Sequence, residues 1–149
     1  MRKYTWIAAA VAALDQLVKW LCLGLTESIT LIPGLLALHY AENTGMAFSL
    51  FSGQTWALGV VSAICILAGW LILRRYQLGP VSRVAAMLML GGALGNMIDR
   101  FFRGYVVDMF EALFVDFAIF NLADAALTVG AALMAVSLLL RPDEWHEKK

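Results

Sequence analysis

The sequence predicts an all-α membrane protein with four transmembrane helices and a small extracytoplasmic β-sheet. Hydrophobic residues make up 62% of the 149 residues, and the mean hydropathy is +0.78, far above that of a soluble domain. Four apolar stretches of roughly 20 residues each have the length that crosses a bilayer core. They are predicted at 4–25, 56–73, 84–102 and 118–140. No linker or repeat divides the chain, so we expect a single integral membrane domain over 1–149.

The composition argues against several classes of function. The net charge is zero, so no basic face is expected to bind nucleic acid. Cys22 and Cys65 fall in apolar spans, where we expect free thiols that pack rather than a disulfide. With two histidines and two scattered cysteines, the chain shows no spacing typical of a metal site, and we expect no metal or cofactor.

The first span resembles a secretory signal peptide at its start, because Met1-Arg2-Lys3 precedes an apolar run with small residues at 8–13. The apolar character resumes after Asp15, which favours an uncleaved helix. Asp15 and Lys19 lie four residues apart and share a helix face. They could neutralise each other inside the bundle, or belong to a site, since Lys19 lies toward the outer end. Gln16 can add interhelical hydrogen bonds.

The basic residues predict the orientation. The segment 26–55 contains no Lys or Arg, whereas basic residues flank the other ends of the spans. They are Arg2, Lys3, Arg74, Arg75, Arg83, Arg141, Lys148 and Lys149. By the positive-inside rule, both termini and the 74–83 loop are cytoplasmic, and the segments 26–55 and 103–117 are extracytoplasmic.

The segment 26–55 predicts a small sheet on the outer leaflet surface. β-prone runs at 29–32 and 35–40 flank the turn pair Pro33-Gly34, and the turn Asn43-Thr44-Gly45 precedes a third run at 47–51. The apolar residues of this segment suit contact with lipid or a lipid-bearing ligand, or packing on the bundle. They are Leu31, Ile32, Leu35, Leu36, Phe48 and Phe51.

The third span ends in a polar stripe. Asn96, Asp99 and Arg100 follow one another at helical spacing and share one face. Asp99 could form a structural ion pair with Arg100 or Arg103. Arg100 could equally hold a substrate carbonyl, because its guanidinium offers a rigid fork of donors.

Asp124 lies in a strongly apolar stretch, where a carboxylate costs several kcal/mol and usually has a function. Asn121 faces the same way, and Asp124 is expected about six residues, or roughly 9 Å, inside the fourth helix. A lone buried aspartate would be protonated, so function requires a partner carboxylate. Asp99, Asp108 and Asp116 are the candidates, and the apolar flanks of Asp108 favour it only modestly.

Gly104 permits a turn after the third span, so that 106–108 would run as an extended piece over the mouth of the bundle. A converging acid pair there is the chemistry of an aspartic hydrolase. A proton-coupled carrier or channel is an alternative, with Asp15, Lys19 and Asp124 as the relay. Four spans are few for a carrier, and no inverted repeat is visible. A non-catalytic scaffold would leave the acids without a role.

Several sequence blocks, taken together, resemble the lipoprotein signal peptidase (signal peptidase II) family. The blocks are Asp15-Gln16-Leu17-Val18-Lys19, Asn43-Thr44-Gly45-Met46-Ala47-Phe48-Ser49, Gly92-Ala93-Leu94-Gly95-Asn96-Met97-Ile98-Asp99-Arg100 with Gly104-Tyr105-Val106-Val107-Asp108, and Phe120-Asn121-Leu122-Ala123-Asp124. Each block alone is weakly specific. All of them in this order, on four spans, are highly specific and cover nearly the whole chain.

The resemblance implies an intramembrane aspartic endopeptidase of the bacterial cytoplasmic (inner) membrane. Its substrate would be a diacylglyceryl-modified prolipoprotein, cleaved just before the lipidated cysteine. The family architecture implies four helices, a periplasmic β-cradle and an active site near the periplasmic face. It also implies contact with membrane lipid and inhibition by a globomycin-like cyclic peptide.

The resemblance also carries residue roles. It implies Asp108 and Asp124 as the catalytic pair. The positions implied to bind substrate or support the dyad are Asn43, Asn96, Arg100 and Asn121, and those implied to support structure or activity are Asp15, Lys19 and Asp99. The chain departs from the family in lacking a proline at 117–119, in a short spacing between the paired acids, and in the extra acid Asp116. These departures leave the conformation of the 109–117 loop open.

Overall fold

The computed structural model describes residues 2–45, 50–142 and 145–147. In chain order the elements are α1 (Thr5–Cys22), β1 (Ile29–Ile32), β2 (Leu36–Asn43), α2 (Thr55–Arg75), β3 (Tyr76–Gln77), α3 (Pro80–Phe102), β4 (Val106–Ala112), α4 (Leu122–Leu140) and β5 (His146–Glu147), with a 3₁₀ turn at Arg2–Tyr4. All four α-helices are long and apolar enough to cross a membrane. The prediction of four transmembrane helices with a small sheet is confirmed.

The start of α4 differs from its prediction. The helix begins at Leu122 rather than at 118, because Phe120 is still extended and exchanges backbone hydrogen bonds of 2.8 Å and 3.0 Å with Phe110. Asn121 then caps the helix in a reciprocal capping box with Asp124. Asp124 is therefore the third residue of the helix, and the prediction that it lies about six residues inside was wrong.

The helix α3 is central and contacts each of the other three helices. Glycine makes this close packing possible. A Cβ atom on Gly91 would lie 2.7 Å from Cβ of Val11 in α1, and one on Gly92 would lie 2.4 Å from the carbonyl oxygen of Ala123 in α4. Small residues let helix backbones approach in this way where no hydrophobic driving force exists.

The helix α2 is packed less closely than the others. Along its 21 residues it buries only Thr55 and Gly59. Gly59 lies against Phe101 of α3, where an added Cβ atom would be 3.2 Å from the ring. Beyond this contact, a groove of about 660 Å³ remains between α2, α3 and α4.

The extracytoplasmic sheet is antiparallel, with the strand order β1-β2-β4. The predicted runs at 29–32 and 35–40 are confirmed as β1 and most of β2. The predicted run at 47–51 lies largely outside the described residues, and Leu50 and Phe51 are in a turn. The third strand is β4 instead, which reverses direction after α3 through Gly104 at a φ of +81°.

The strand β4 lies across the end of the bundle. Its residues Val107 and Met109 are completely buried and pack with Cys22 at the end of α1. As predicted, Cys22 and Cys65 are free thiols. The first four residues of the 109–117 segment are thus strand rather than loop, and the backbone N–H of Leu113 still donates to the carbonyl of Leu35.

A two-stranded ribbon that was not predicted lies at the other end of the bundle. β3 follows α2 directly and pairs antiparallel with β5, with Tyr76 opposite Glu147 and Gln77 opposite His146. The chain after α4 therefore folds back over the connection between α2 and α3.

Candidate active site

Asp108 and Asp124 are brought together by two asparagines. Asp108 lies on β4 and is 3% exposed, whereas Asp124 lies in the first turn of α4 and is half-buried. Asn121 Nδ2 donates to Asp108 Oδ1 at 2.7 Å, and Asn96 Nδ2 donates to Asp124 Oδ1 at 2.7 Å. Asn121 Nδ2 also donates to Asn96 Oδ1 at 3.1 Å, which closes the link between the two acids.

The sheet places Asp108 at this point. Asp108 pairs with Ala41 of β2 after an irregularity in the register between Leu38 and Ala41. Asn43, at the end of β2, donates from Nδ2 to Asp108 Oδ2 at 3.0 Å, while its Oδ1 accepts from the backbone N–H of Gly45 at 2.9 Å. The resemblance implied that Asn43 binds substrate or supports the acid pair. Its hydrogen bond to Asp108 is a contact of the second kind.

The other candidate partners of Asp124 lie elsewhere. Asp99 is completely buried and forms ion pairs with Lys19 and Arg103. Asp116 is exposed in the segment before α4. Asp108 is the candidate whose carboxylate joins Asp124 through Asn121.

Burial alters the ionisation of Asp108. Loss of solvent, with a smaller contribution from the nearby charge of Asp124, raises the pKa of this carboxyl from its ordinary value of 3.8 to about 6. The hydrogen bonds from Asn43 and Asn121 act in the opposite direction, because they stabilise the charged form. Asp108 is therefore an acid whose protonated form is present near neutral pH.

Arg100 offers a free donor beside the acids. Its Nη2 donates to the carbonyl of Gly45 at 3.2 Å. Its Nε is buried and has no hydrogen-bond partner among residues 2–45, 50–142 and 145–147. Arg100, Asn96 and Asp124 all line one end of the groove between α2, α3 and α4. A buried donor without a partner costs about 1–3 kcal/mol, so a carbonyl in this groove would be stabilised at Nε.

Lys19 directs the orientation of the Asn96 amide. The predicted ion pair with Asp15 exists at 2.9 Å, and Nζ also contacts Asp99 at 2.8 Å and Asn96 Oδ1 at 3.0 Å. These contacts match the three protons of an ammonium group. Because Lys19 can only donate, Asn96 must turn its oxygen to Lys19 and its Nδ2 to Asp124.

The same cluster ties α1 to the start of α4. Asp15 Oδ1 accepts from the backbone N–H of Ala123 at 2.9 Å. Gln16 donates to the carbonyl of Gly95 at 3.1 Å and accepts from Arg103 Nη1 at 2.8 Å, as its predicted interhelical role requires. Asp99 pairs with Arg103 rather than with Arg100.

Sequence reasoning missed two partners of the site. The carbonyl of Gly45, which receives Arg100, was predicted only as part of a turn, and the backbone N–H of Ala123, which anchors Asp15, carries no signal in a side-chain pattern. Within the described ranges, no three His, Cys, Asp or Glu side chains converge in a way that could hold a metal ion.

Comparisons with known proteins agree with the geometry. A family model described as Signal peptidase (SPase) II matches residues 7–140. A lipoprotein signal peptidase of Geobacillus kaustophilus is 43% identical over 97% of this chain and 99% of the relative. That of Latilactobacillus sakei subsp. sakei is 37% identical over 99% and 100%. A solved structure described as a bacterial membrane enzyme, obtained by the in meso method at 2.3 Å resolution, superposes with a TM-score of 0.87 at 30% identity, covering 100% of this chain and 94% of that one. The chain belongs to the signal peptidase II family.

Proposed function

We propose that this chain is an aspartic endopeptidase of the bacterial cytoplasmic membrane. It removes the signal peptide from diacylglyceryl-modified prolipoproteins by cleaving just before the lipidated cysteine. The observation that carries this proposal is the pair Asp108 and Asp124, joined through Asn96 and Asn121, with Asp124 at one end of an apolar groove. Two close carboxylates cannot both ionise cheaply, so the pair shares one proton. Membership in the family supports a protease that acts on lipoprotein signal peptides.

The two acids take different roles in this mechanism. Asp108 holds the shared proton, because burial raises its pKa to about 6. Asp124 lines the groove as the carboxylate and takes a proton from a water molecule whose oxygen attacks the scissile carbonyl carbon. Asp108 hydrogen-bonds the carbonyl oxygen. The C–N bond then breaks as the leaving amine receives a proton from the pair, and no covalent intermediate forms.

The neighbouring residues position the reactants. Arg100 binds a substrate carbonyl through its free Nε, which aligns the scissile carbonyl with the water. Asn121 holds both acids at once, since its side chain donates to Asp108 and also caps the helix turn that carries Asp124. Asn43 holds the far oxygen of Asp108.

The membrane supplies part of the binding free energy. The apolar segment of the signal peptide lies in the groove, and the diacylglyceryl chains stay in the bilayer, where each buried CH₂ contributes about 0.8 kcal/mol. The acids lie at the end of the bundle that carries the three-stranded sheet, while Arg74, Arg75 and Arg83 lie around the turn at the other end. By the positive-inside rule, the active site faces the periplasm and both termini are cytoplasmic.

A cleavage assay tests the proposal. Purified protein in detergent with added lipid is mixed with a diacylglyceryl-modified prolipoprotein and, separately, with the unlipidated form. Wild type should cleave the lipidated substrate before its cysteine and leave the unlipidated one intact, and Asp124→Asn should be inactive. Asp116→Asn is the matched control, because it removes an exposed acid close in sequence and should keep its activity.

The alternative function, a proton-coupled carrier, predicts a different result. Folded wild type that cleaves neither substrate but carries protons across proteoliposomes would contradict the peptidase and support the carrier. Cleavage without proton flux, inhibited by a globomycin-like cyclic peptide, is the outcome that the peptidase requires.

A further inference from the structure

The groove between α2, α3 and α4 extends far beyond the acids. Its two ends are lined by different residues. They are Asn96, Arg100 and Asp124 at the acid end and Trp70, Leu73 and Trp145 at the opposite end. Along α2, the lining runs from Leu58 to Leu73, which spans about 22 Å at 1.5 Å per residue. A helix of about 15 residues has the same length.

The chain after α4 contributes to the far end of the groove. α4 ends at Leu140, and Trp145 donates its backbone N–H to the carbonyl of Pro142 at 3.0 Å. The Trp145 ring contacts the ring of Tyr76 with 6.0 Å between the centroids. His146 and Glu147 pair with β3, so Trp145 is held at the end of the groove by this pairing and by its hydrogen bond to Pro142.

Trp145 also presents a polar atom that the fold leaves unused. Its Nε1 is buried and has no hydrogen-bond partner within the described part of the chain. Tryptophan usually finds such a partner when it is buried. At this end of the groove, the indole N–H could donate a hydrogen bond to a backbone carbonyl of a peptide segment bound in the groove.

We propose that Trp145 determines specificity by setting the length of the apolar segment that fits the groove. This inference rests on the proposed function. A signal peptide is cleaved at the carboxyl end of its apolar region, so that end lies at Asp124 and the amino end lies toward Trp145. The apolar region commonly has about 7–15 residues, and the groove accommodates about 15 as a helix. A longer region meets the indole and cannot place its scissile bond at the acids.

The occupant is the apolar helix of the signal peptide rather than a lipid chain, because the groove is continuous with the residues that carry the chemistry. Asp124 and Arg100 belong to the same lining as Trp70 and Trp145. If a lipid chain filled the groove instead, the distance from Trp145 to the acids would have no effect on where the peptide is cleaved.

The test uses lipidated prolipoproteins whose apolar region is lengthened one helical turn at a time. Cleavage by full-length wild type, Trp145→Ala, Trp145→Phe and the control Trp6→Ala is compared. Trp6 is 67% exposed on α1 and lies outside the groove. For wild type and Trp6→Ala, kcat/KM should fall about tenfold once the region exceeds about 15 residues. Trp145→Ala should lose this decline.

Trp145→Phe separates the ring from its N–H group. It should keep the decline with length while KM rises about two- to tenfold for all substrates, because a single hydrogen bond is lost. A length profile that is identical in wild type and Trp145→Ala overturns the inference and is also the result expected if lipid occupies the groove. Wild type that fails on every lipidated substrate overturns the proposed function instead, so the two failures are distinguishable.

Discussion

Lys19→Met removes a buried ammonium from between two buried carboxylates. The side chains of Lys19, Asp15 and Asp99 are each 0% exposed, and Nζ lies 2.9 Å and 2.8 Å from the two acids. Removal of one partner from a buried ion pair leaves an uncompensated charge and costs about 3–5 kcal/mol. Asp99 keeps its ion pair with Arg103, so most of the loss falls on Asp15. We expect a fall in the melting temperature of roughly 10 °C.

A double variant separates the charge effect from lost packing. Methionine preserves much of the apolar stem of Lys19, and Asp15→Asn then removes the charge that has lost its partner. If the uncompensated carboxylate causes the loss, Lys19→Met/Asp15→Asn should be more stable than Lys19→Met alone by about 1–3 kcal/mol. Thermal unfolding in detergent measures both variants. Cleavage should fall in both, because the Asn96 oxygen loses its charged donor and keeps only the hydrogen bond from Asn121.

Two results would refute this reasoning. One is a melting temperature within about 2 °C of wild type for Lys19→Met, which corresponds to less than about 1 kcal/mol. The other is a double variant no more stable than the single one. Either would show that the buried ammonium does not compensate the charge of Asp15.

The remaining predictions concern the acids and the helix packing. Asp108→Asn and Asp124→Asn should each abolish prolipoprotein cleavage while the protein still shows a cooperative thermal unfolding transition, and turnover in both would remove the shared-proton mechanism. Burial raises the pKa of Asp108 to about 6, so the folded protein binds a proton that the unfolded chain has released above about pH 4. As the pH rises from about 4 to about 6, the free energy of unfolding of wild type should therefore fall relative to that of Asp108→Asn, by up to about 3 kcal/mol. Parallel curves of melting temperature against pH for the two proteins would contradict this. Gly92→Ala should destabilise the protein by about 1–3 kcal/mol, because the new Cβ atom would lie 2.4 Å from the carbonyl oxygen of Ala123. The control Gly69→Ala, whose Cβ atom would have nothing within 4 Å, should leave stability unchanged or increase it. Equal unfolding temperatures for the two variants would refute the packing argument.

Hydropathy and turn chemistry predicted the helices and the first hairpin well. Both signals are local, since a helix that spans the membrane is recognised from one continuous apolar stretch and the hairpin from the turn pair Pro33-Gly34. The start of α4 was mispredicted because Phe120 is held extended by its pairing with β4. No local pattern reports the hydrogen bonds of Phe120 with Phe110.

The site was predictable in its residues but not in its connections. The apolar flanks could not choose among the three candidate partners of Asp124. The pairing of β4 with β2 places Asp108 beside Asn43, and the bridge between Phe110 and Phe120 brings Asn121 to it. The orientation of the Asn96 amide depends on Lys19, which is 77 residues from Asn96 in the chain. The ribbon formed by β3 and β5 consists of two-residue strands, which are too short to produce a periodic signal in the sequence.

Asn121 has a consequence for how the protein loses activity. The same side chain accepts from the Asp124 backbone N–H, as a helix cap, and donates to Asp108. Fraying of the first turn of α4 and separation of the two acids are therefore a single event. Local opening requires less free energy than global unfolding. Amide hydrogen exchange at Asp124 should thus accelerate at a temperature where the bundle is still intact, and turnover should decline with that exchange rather than with the loss of helix.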